Sequence, residues 1–223
     1  MKDHASFELL IEVVRELDSL GLNRGSTGNC SVRLSEDRFL ITPSGIPSLA
    51  ITREMLCTMD FVTPPRAEKI GPVEKVWQPS SEWRFHRDIY LQRSDVGAIV
   101  HVHSNYATTL SCLRRAIPSF HYMVAVAGGV DIRCAGYETY GTQELSDQVL
   151  IALTDRKACL MANHGMIAVG ENLSRALATA ITVESLAQQF LSCLSVGEPT
   201  LLSEIEMSKV LMKFSEYQKQ ALD

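Results

Sequence analysis

Four residues in separated stretches carry side chains that bind a divalent cation: Glu82 in PSSEWRFH, His101 and His103 in AIVHVHS, and His164 in MANHGMIAVG. Three imidazoles and a carboxylate are the usual four-donor shell of zinc in a site for oxygen chemistry. A metal held this way polarises a carbonyl and stabilises an enolate. The residues therefore speak to reaction type before they speak to substrate.

Each member also has an ordinary structural reading. Side chains two apart on a strand share a face, so His101 and His103 can reach one ion while Val100 and Val102 face the other way. The same pair reads equally as two polar residues on a half-exposed strand. His164, between a strand and a glycine turn, can point back toward a neighbouring strand or serve as a hydrogen-bonded structural residue. Glu82 in the first turn of a helix is favourable for the helix dipole alone. His86, four residues on, shares its helix face and competes as a ligand; His4 and His121 are less suggestive. The case for a metal lies in the combination.

GSTGN, PSGI and PSSE each place glycine or small hydroxyl residues at a strand or helix end, where backbone N–H groups and hydroxyls bind phosphate. Any one of them reads as a turn. Ser80 and Ser81, directly before Glu82, put a phosphate site beside the proposed metal. The chain has neither GxxxxGK[ST] nor GxGxxG, so no P-loop and no nicotinamide cofactor is indicated.

Periodicity outlines the elements that must position these residues. Phe7, Leu10, Ile11, Val14 and Leu17 predict a helix over 4–20, and CSVRL with FLIT predicts a hairpin. ITREML reads as a short helix and CTMDFV as a strand, followed by a connection over 63–79. A helix follows with Ser80 as its N-cap, then a buried strand in VGAIVHVHS and a helix in ATTLSCLRR. HYMVAVAGGVDIRC is expected to hold one or two short strands, and TQELSDQVLIALT a helix. ACLMA and MIAVG are strands around the NHG turn. A long helix over 172–194 precedes a last one opened by a Ser203–Glu206 capping box. The pattern predicts one α/β domain over 1–223, a layered α/β/α sandwich.

At 223 residues, 46% apolar and 21% charged, the chain suits one soluble domain with a full core. A net charge of −5 without a basic stripe argues against nucleic acid. No apolar run reaches the length of a membrane span, and the N-terminal segment lacks a signal peptide's apolar core, so a cytoplasmic location is expected. Six cysteines without a CxxC pair read as buried, reduced thiols.

On these stretches, together with LGLNRGSTGNCSVR, ITPSGIP, IPSFHYMVAVAGG, YGTQELS and KFSEY, the chain resembles the class II aldolase/adducin family, and within it the L-fuculose-1-phosphate aldolases. The resemblance covers almost the whole chain and implies a mostly antiparallel sheet. It implies one Zn2+ per subunit held by His101, His103, His164 and Glu82, with Glu82 displaced by a sugar-phosphate substrate to act as acid/base. It places phosphate on Ser26, Asn29, Ser44, Gly45, Ser80 and Ser81, and it implies cleavage of a ketose 1-phosphate to dihydroxyacetone phosphate and an aldehyde. Tyr122 would come from a neighbouring subunit of a homotetramer, with active sites at the interfaces. Tyr140 would line the aldehyde pocket, and Phe214 and Tyr217 would belong to a closing C-terminal segment.

Ser26 and Ser44 stand where the fuculose-type enzymes have threonine, and Tyr140 where they have phenylalanine, so the aldehyde's identity stays open. A 5-deoxypentulose-1-phosphate aldolase or a 3-oxo-tetronate 4-phosphate decarboxylase remains an alternative. Met123, where the ribulose-phosphate 4-epimerase branch has aspartate, disfavours that branch. A non-catalytic adducin-like binding module is the rival from another class, and the retained ligand set argues against it.

Overall fold

Successive side chains of a strand alternate between two faces, and here each face of one sheet finds its own set of helices. The computed structural model describes residues 2–62 and 77–220, with side chains over 5–62 and 77–216. In chain order the elements are α1 (Lys2–Ser19), β1 (Asn29–Arg33), β2 (Arg38–Ile41), β3 (Cys57–Asp60), α2 (Trp83–Gln92), β4 (Ala98–Val102), α3 (Asn105–Cys112), β5 (Cys134–Ala135), α4 (Gln143–Ala152), β6 (Ala158–Met161), β7 (Gly165–Gly170), α5 (Leu173–Val196) and α6 (Glu204–Gln220). The seven strands lie in the order β3-β2-β1-β4-β7-β6-β5. Every neighbouring pair is antiparallel except β5 with β6.

Cys30, Leu40, Val100, Val102, Leu160, Met166 and Ala168 pack with α1, α3 and α5 through Leu10, Leu17, Leu110, Ala180 and Leu186. Phe39, Ile41, Ile99, Cys159, Met161, Ile167 and Val169 pack with Phe85, Ile89, Leu145 and Val149 of α2 and α4. The result is a mixed α/β fold, a mostly antiparallel sheet flanked by helices, as the pattern predicted. The long α5 follows from its own sequence. Asn172 accepts a hydrogen bond from the Arg175 N–H as N-cap, and Leu173, Ala176, Leu177, Ala180, Val183, Leu186, Ala187 and Phe190 form a buried stripe.

Several local expectations are corrected. The N-cap of α2 is Glu82, not Ser80, although the Ser80 hydroxyl accepts the Glu82 N–H at 3.3 Å. ITREML forms only a 3-10 turn at Arg53–Met55, and of HYMVAVAGGVDIRC, expected to hold one or two short strands, Tyr122–Ala127 is a 3-10 helix and only Cys134 enters a strand, β5. The β-rich letters of that stretch are overridden because His121 accepts the Met123 N–H as a cap and Gly128 closes the turn in the left-handed region. The capping box at α6 is half formed: Ser203 accepts the Glu206 N–H, while the Glu206 carboxylate takes Lys209. Of the six free cysteines only Cys30 and Cys159 are buried, and Cys112 is exposed. Burial pushes the Cys30 thiol up to about 12, which keeps it inert. Most of the 63–79 connection and the side chain of His4 lie outside the described residues. Among the described residues no helix is long and apolar enough to cross a membrane.

Candidate metal centre

β4 delivers His101 to the α2/α4 side of the sheet, fully buried, with its register set opposite Ile167 of β7. His101 Nδ1 lies 2.9 Å from the Met166 carbonyl oxygen. A carbonyl only accepts, so Nδ1 carries the hydrogen, and in the neutral ring Nε2 presents its lone pair. His103, one residue past the strand end, follows the same alternation; its backbone N–H donates to Asn23 Oδ1 at 3.2 Å. The Nε2 atoms of the two rings are 3.0 Å apart.

His164 arrives from the β6–β7 turn. Asn163 there has φ 54°, in the left-handed region that asparagine tolerates, and its N–H donates to the Ser111 carbonyl at 3.0 Å. A Cβ on Gly165 would sit 2.5 Å from the Val102 carbonyl oxygen and 3.0 Å from His103 Cδ2, so only glycine lets this turn close against β4. The three ring centroids are 4.8, 4.9 and 4.9 Å apart, and their ligating atoms all lie within 4.8 Å of one another.

Glu82 sits at the start of α2 yet its side chain makes no capping bond. The carboxylate turns to the histidines instead: Oε2 is 3.2 Å from His101 Nε2, and Oε1 is 3.2 Å from His164 Nε2. Asn29 Nδ2 donates to Oε2 at 2.8 Å, while Oε1 is buried with no hydrogen-bond partner. A buried acceptor left this way costs about 1–3 kcal/mol, more when charged, and the His164 nitrogen approaches it without the alignment of a hydrogen bond. Lone pairs on nitrogen and oxygen that converge on one point fit a cation. Burial alone would raise the Glu82 carboxyl, but the His101 and His164 rings and the Asn29 amide hold it well below the usual carboxylate range. Burial presses His103 down to about 3 and His164 to about 4, so both rings are neutral at neutral pH, the form that binds metal.

His86, the competing ligand, is not part of this group. It is fully buried, with Nδ1 2.7 Å from Ser31 Oγ and Nε2 2.5 Å from Asn29 Oδ1, so neither nitrogen is left for an ion. The Asn29 amide is thus committed on both sides, to His86 and to Glu82. The three small-residue loops are tied together: the Ser44 N–H donates to the Gln78 carbonyl at 2.9 Å, Ser80 to Thr42 at 3.0 Å and Ser48 to Gly25 at 3.1 Å. Ser26, Ser44, Gly45 and Ser81 are exposed there, and Ser80 is buried. Gly28, at φ +68°, would place a Cβ 2.5 Å from the His101 carbonyl oxygen, so the first loop abuts the ligand strand.

Tyr122 is half exposed at the start of its 3-10 helix, stacked on His121, and Tyr140 is 66% exposed. Phe214 of α6 is partly buried against the core on the α1/α3/α5 side of the sheet. Tyr217 falls on the same helix, its side chain outside the described residues. Sequence reasoning missed Ser31 and Tyr90, although Glu82, His86 and Tyr90 at four-residue spacing, facing Asn29 and Ser31 two apart, were a readable signal.

Comparison with known proteins places these features in company. Residues 8–191 match the model of the Class II Aldolase and Adducin N-terminal domain. The 5-methylthioribulose-1-phosphate/5-deoxyribulose-1-phosphate aldolase of Rhodospirillum rubrum is 49% identical over 208 residues, 93% of this chain and 90% of the relative. The L-fuculose phosphate aldolase of Escherichia coli is 45% identical over 209 residues, 93% of each chain. A solved L-fuculose 1-phosphate aldolase superposes with a TM-score of 0.87 at 38% identity, covering 95% of this chain and 96% of the other.

Proposed function

The chain belongs to the Class II Aldolase and Adducin family, whose similar members here are named aldolases, carbon–carbon lyases, and on that premise we propose a zinc-dependent aldolase. It reversibly cleaves a ketose 1-phosphate of the L-fuculose 1-phosphate kind into dihydroxyacetone phosphate and a small aldehyde. The observation that carries this reading is the cluster of His101, His103 and His164 beside the Glu82 carboxylate, whose buried Oε1 has no hydrogen bond and lies 3.2 Å from His164 Nε2. Three nitrogen donors and a carboxylate suit zinc. Zinc bound there supplies a Lewis acid for the oxygens of the dihydroxyacetone phosphate half.

His101, His103 and His164 hold the ion. Glu82 would be the fourth residue to hold it, and its carboxylate takes and returns the proton on carbon. Ser26, Ser44, Gly45, Ser80 and Ser81, with Asn29 at the base of the same loops, cradle the phosphate. The tying of those loops to one another supports this. Tyr122, half exposed, serves the aldehyde oxygen of a neighbouring subunit in a cytoplasmic homotetramer. Tyr140, Phe214 and Tyr217 border the aldehyde. A 5-deoxy- or 5-methylthio-pentulose 1-phosphate is the second reading, favoured by the 49% relative.

Coupled detection of dihydroxyacetone phosphate tests both. L-fuculose 1-phosphate, 5-deoxyribulose 1-phosphate and 5-methylthioribulose 1-phosphate are each assayed with and without chelator. Chelator-sensitive release, restored by Zn2+, is expected, and the preferred ketose names the aldehyde. Absence of release from all three, in protein shown to bind metal, overturns the assignment.

A further inference from the structure

Behind Glu82 a single file of buried polar groups runs into the core between β1 and α2. Glu82 Oε2 meets Asn29 Nδ2 at 2.8 Å, and Asn29 Oδ1 meets His86 Nε2 at 2.5 Å. His86 Nδ1 meets Ser31 Oγ at 2.7 Å, and Ser31 Oγ meets the Tyr90 hydroxyl at 2.8 Å. All five residues are buried. Arg33 locks the far end: Nη2 donates to the Tyr90 carbonyl at 2.6 Å, and the guanidinium lies 4.9 Å over the Tyr90 ring.

The direction of every bond in this file is forced from one end. An ionised carboxylate only accepts, so Asn29 must present its NH2 to Glu82 and its oxygen to His86. His86 must then carry its hydrogen on Nε2. The ring is neutral, because burial presses it down to about 3, so Nδ1 accepts from the Ser31 hydroxyl. The Ser31 oxygen in turn accepts from Tyr90. Reversing any one member sets two acceptors face to face in a buried site.

We propose that Asn29, His86, Ser31 and Tyr90 are positioning residues that pin Glu82 by Oε2 and leave Oε1 as the oxygen that exchanges the substrate proton. This rests on the aldolase reading for the proton's destination, and on this chain's own hydrogen bonds for the rest. An unpinned carboxylate would rotate between its two oxygens; a pinned one returns the same oxygen to the same place each turnover. His86, Ser31 and Tyr90, behind Asn29, contact no substrate, so removing Ser31 or Tyr90 acts on turnover rather than on ketose binding.

Nitrogen-15 NMR of histidine-labelled protein, with and without Zn2+, reads the His86 tautomer directly. A neutral ring protonated on Nε2 is expected in the wild type; an Nδ1-protonated or doubly protonated ring overturns the proposal. Ser31→Ala removes the donor to Nδ1 and should shift His86 toward the other tautomer. It should lower kcat about tenfold with KM within twofold, the scale of losses when a group behind a metal ligand is removed. Ser31→Thr, which keeps the hydroxyl, should restore both. Tyr90→Phe, should Ser31→Ala fold poorly, should lower kcat about threefold with KM unchanged. A changed tautomer with unchanged kcat, or a KM effect alone, sinks the positioning role. If even the wild type cleaves no ketose 1-phosphate, the aldolase reading fails, while the tautomers still decide the bond directions and an Nδ1-protonated ring still refutes them.

Discussion

Helix α2 carries two buried carboxylates, Glu82 at its start and Asp88 six residues later, at 6% and 8% exposure. Asp88 is fully partnered. Oδ1 accepts from Arg87 Nε at 2.7 Å, and Oδ2 accepts from Gln143 Nε2 and Ser146 Oγ, each at 2.7 Å. These bonds fasten α2 to α4. Glu82 has one hydrogen-bond donor from Asn29 and an oxygen with none. Equal burial on one helix therefore serves opposite ends. A carboxylate saturated with donors holds the fold, and one kept short of donors suits the cation and the proton that the proposed function gives it.

The sharpest way to break this contrast is to neutralise each carboxylate in turn. Glu82→Gln should lower dihydroxyacetone phosphate release about a thousandfold, on the scale of losing an essential acid/base. Metal content should persist through the three histidines. Near-normal turnover would show that Oε1 is not the working oxygen. Asp88→Ala should do the reverse, costing about 3 kcal/mol in denaturant melts by stranding the Gln143 and Ser146 donors and the Arg87 guanidinium. Its kcat, per folded molecule, should stay within twofold. Loss of activity at full stability would erase the distinction between the two groups.

A pH scan sharpens the same contrast from the histidine side. The folded His86 titrates near 3, pressed down by burial, while an unfolded histidine titrates near 6.5. Between those values the unfolded chain binds the additional proton, so stability falls as pH falls. From pH 7 to pH 5 this contributes a loss on the order of 2 kcal/mol to the metal-free protein. His103 and His164, also depressed, push in the same direction. Denaturant melts at successive pH values should show the slope, and His86→Gln should make it shallower. The smallest effect belongs to Gln143→Ala, which removes one of two donors to Asp88 Oδ2. About 1 kcal/mol of stability should go, with kcat unchanged.

The three-histidine cluster was legible because alternation and turn position are local properties. His101 and His103 two apart, and His164 before a glycine, declare their directions without knowledge of the rest of the chain. The layered fold and the β1–β2 hairpin were legible for the same reason. Tyr122–Ala127 was not: its letters favour strand, and the cap from His121 that makes it a 3-10 helix is a single hydrogen bond. The N-cap at Glu82 was shifted from Ser80 by a turn whose geometry depends on Thr42, far away in sequence. The role of His86 needed two residues of another strand, Asn29 and Ser31, so it became visible only once β1 lay against α2.

Of the two clustered histidines that β4 carries, His103 is the one beyond the sheet ladder, since β4 ends at Val102. Immediately beyond it, the Ser104 hydroxyl and the Tyr106 and Ala107 N–H groups all donate to the Glu184 carboxylate of α5, at 2.6, 2.9 and 2.9 Å. The chain at His103 is thus a short beam clamped at both ends, by β4 on one side and by a carboxylate from a different layer on the other. Through that clamp the placement of the His103 ring depends on α5 as well as on β4, so two layers of the fold jointly fix one member of the histidine cluster.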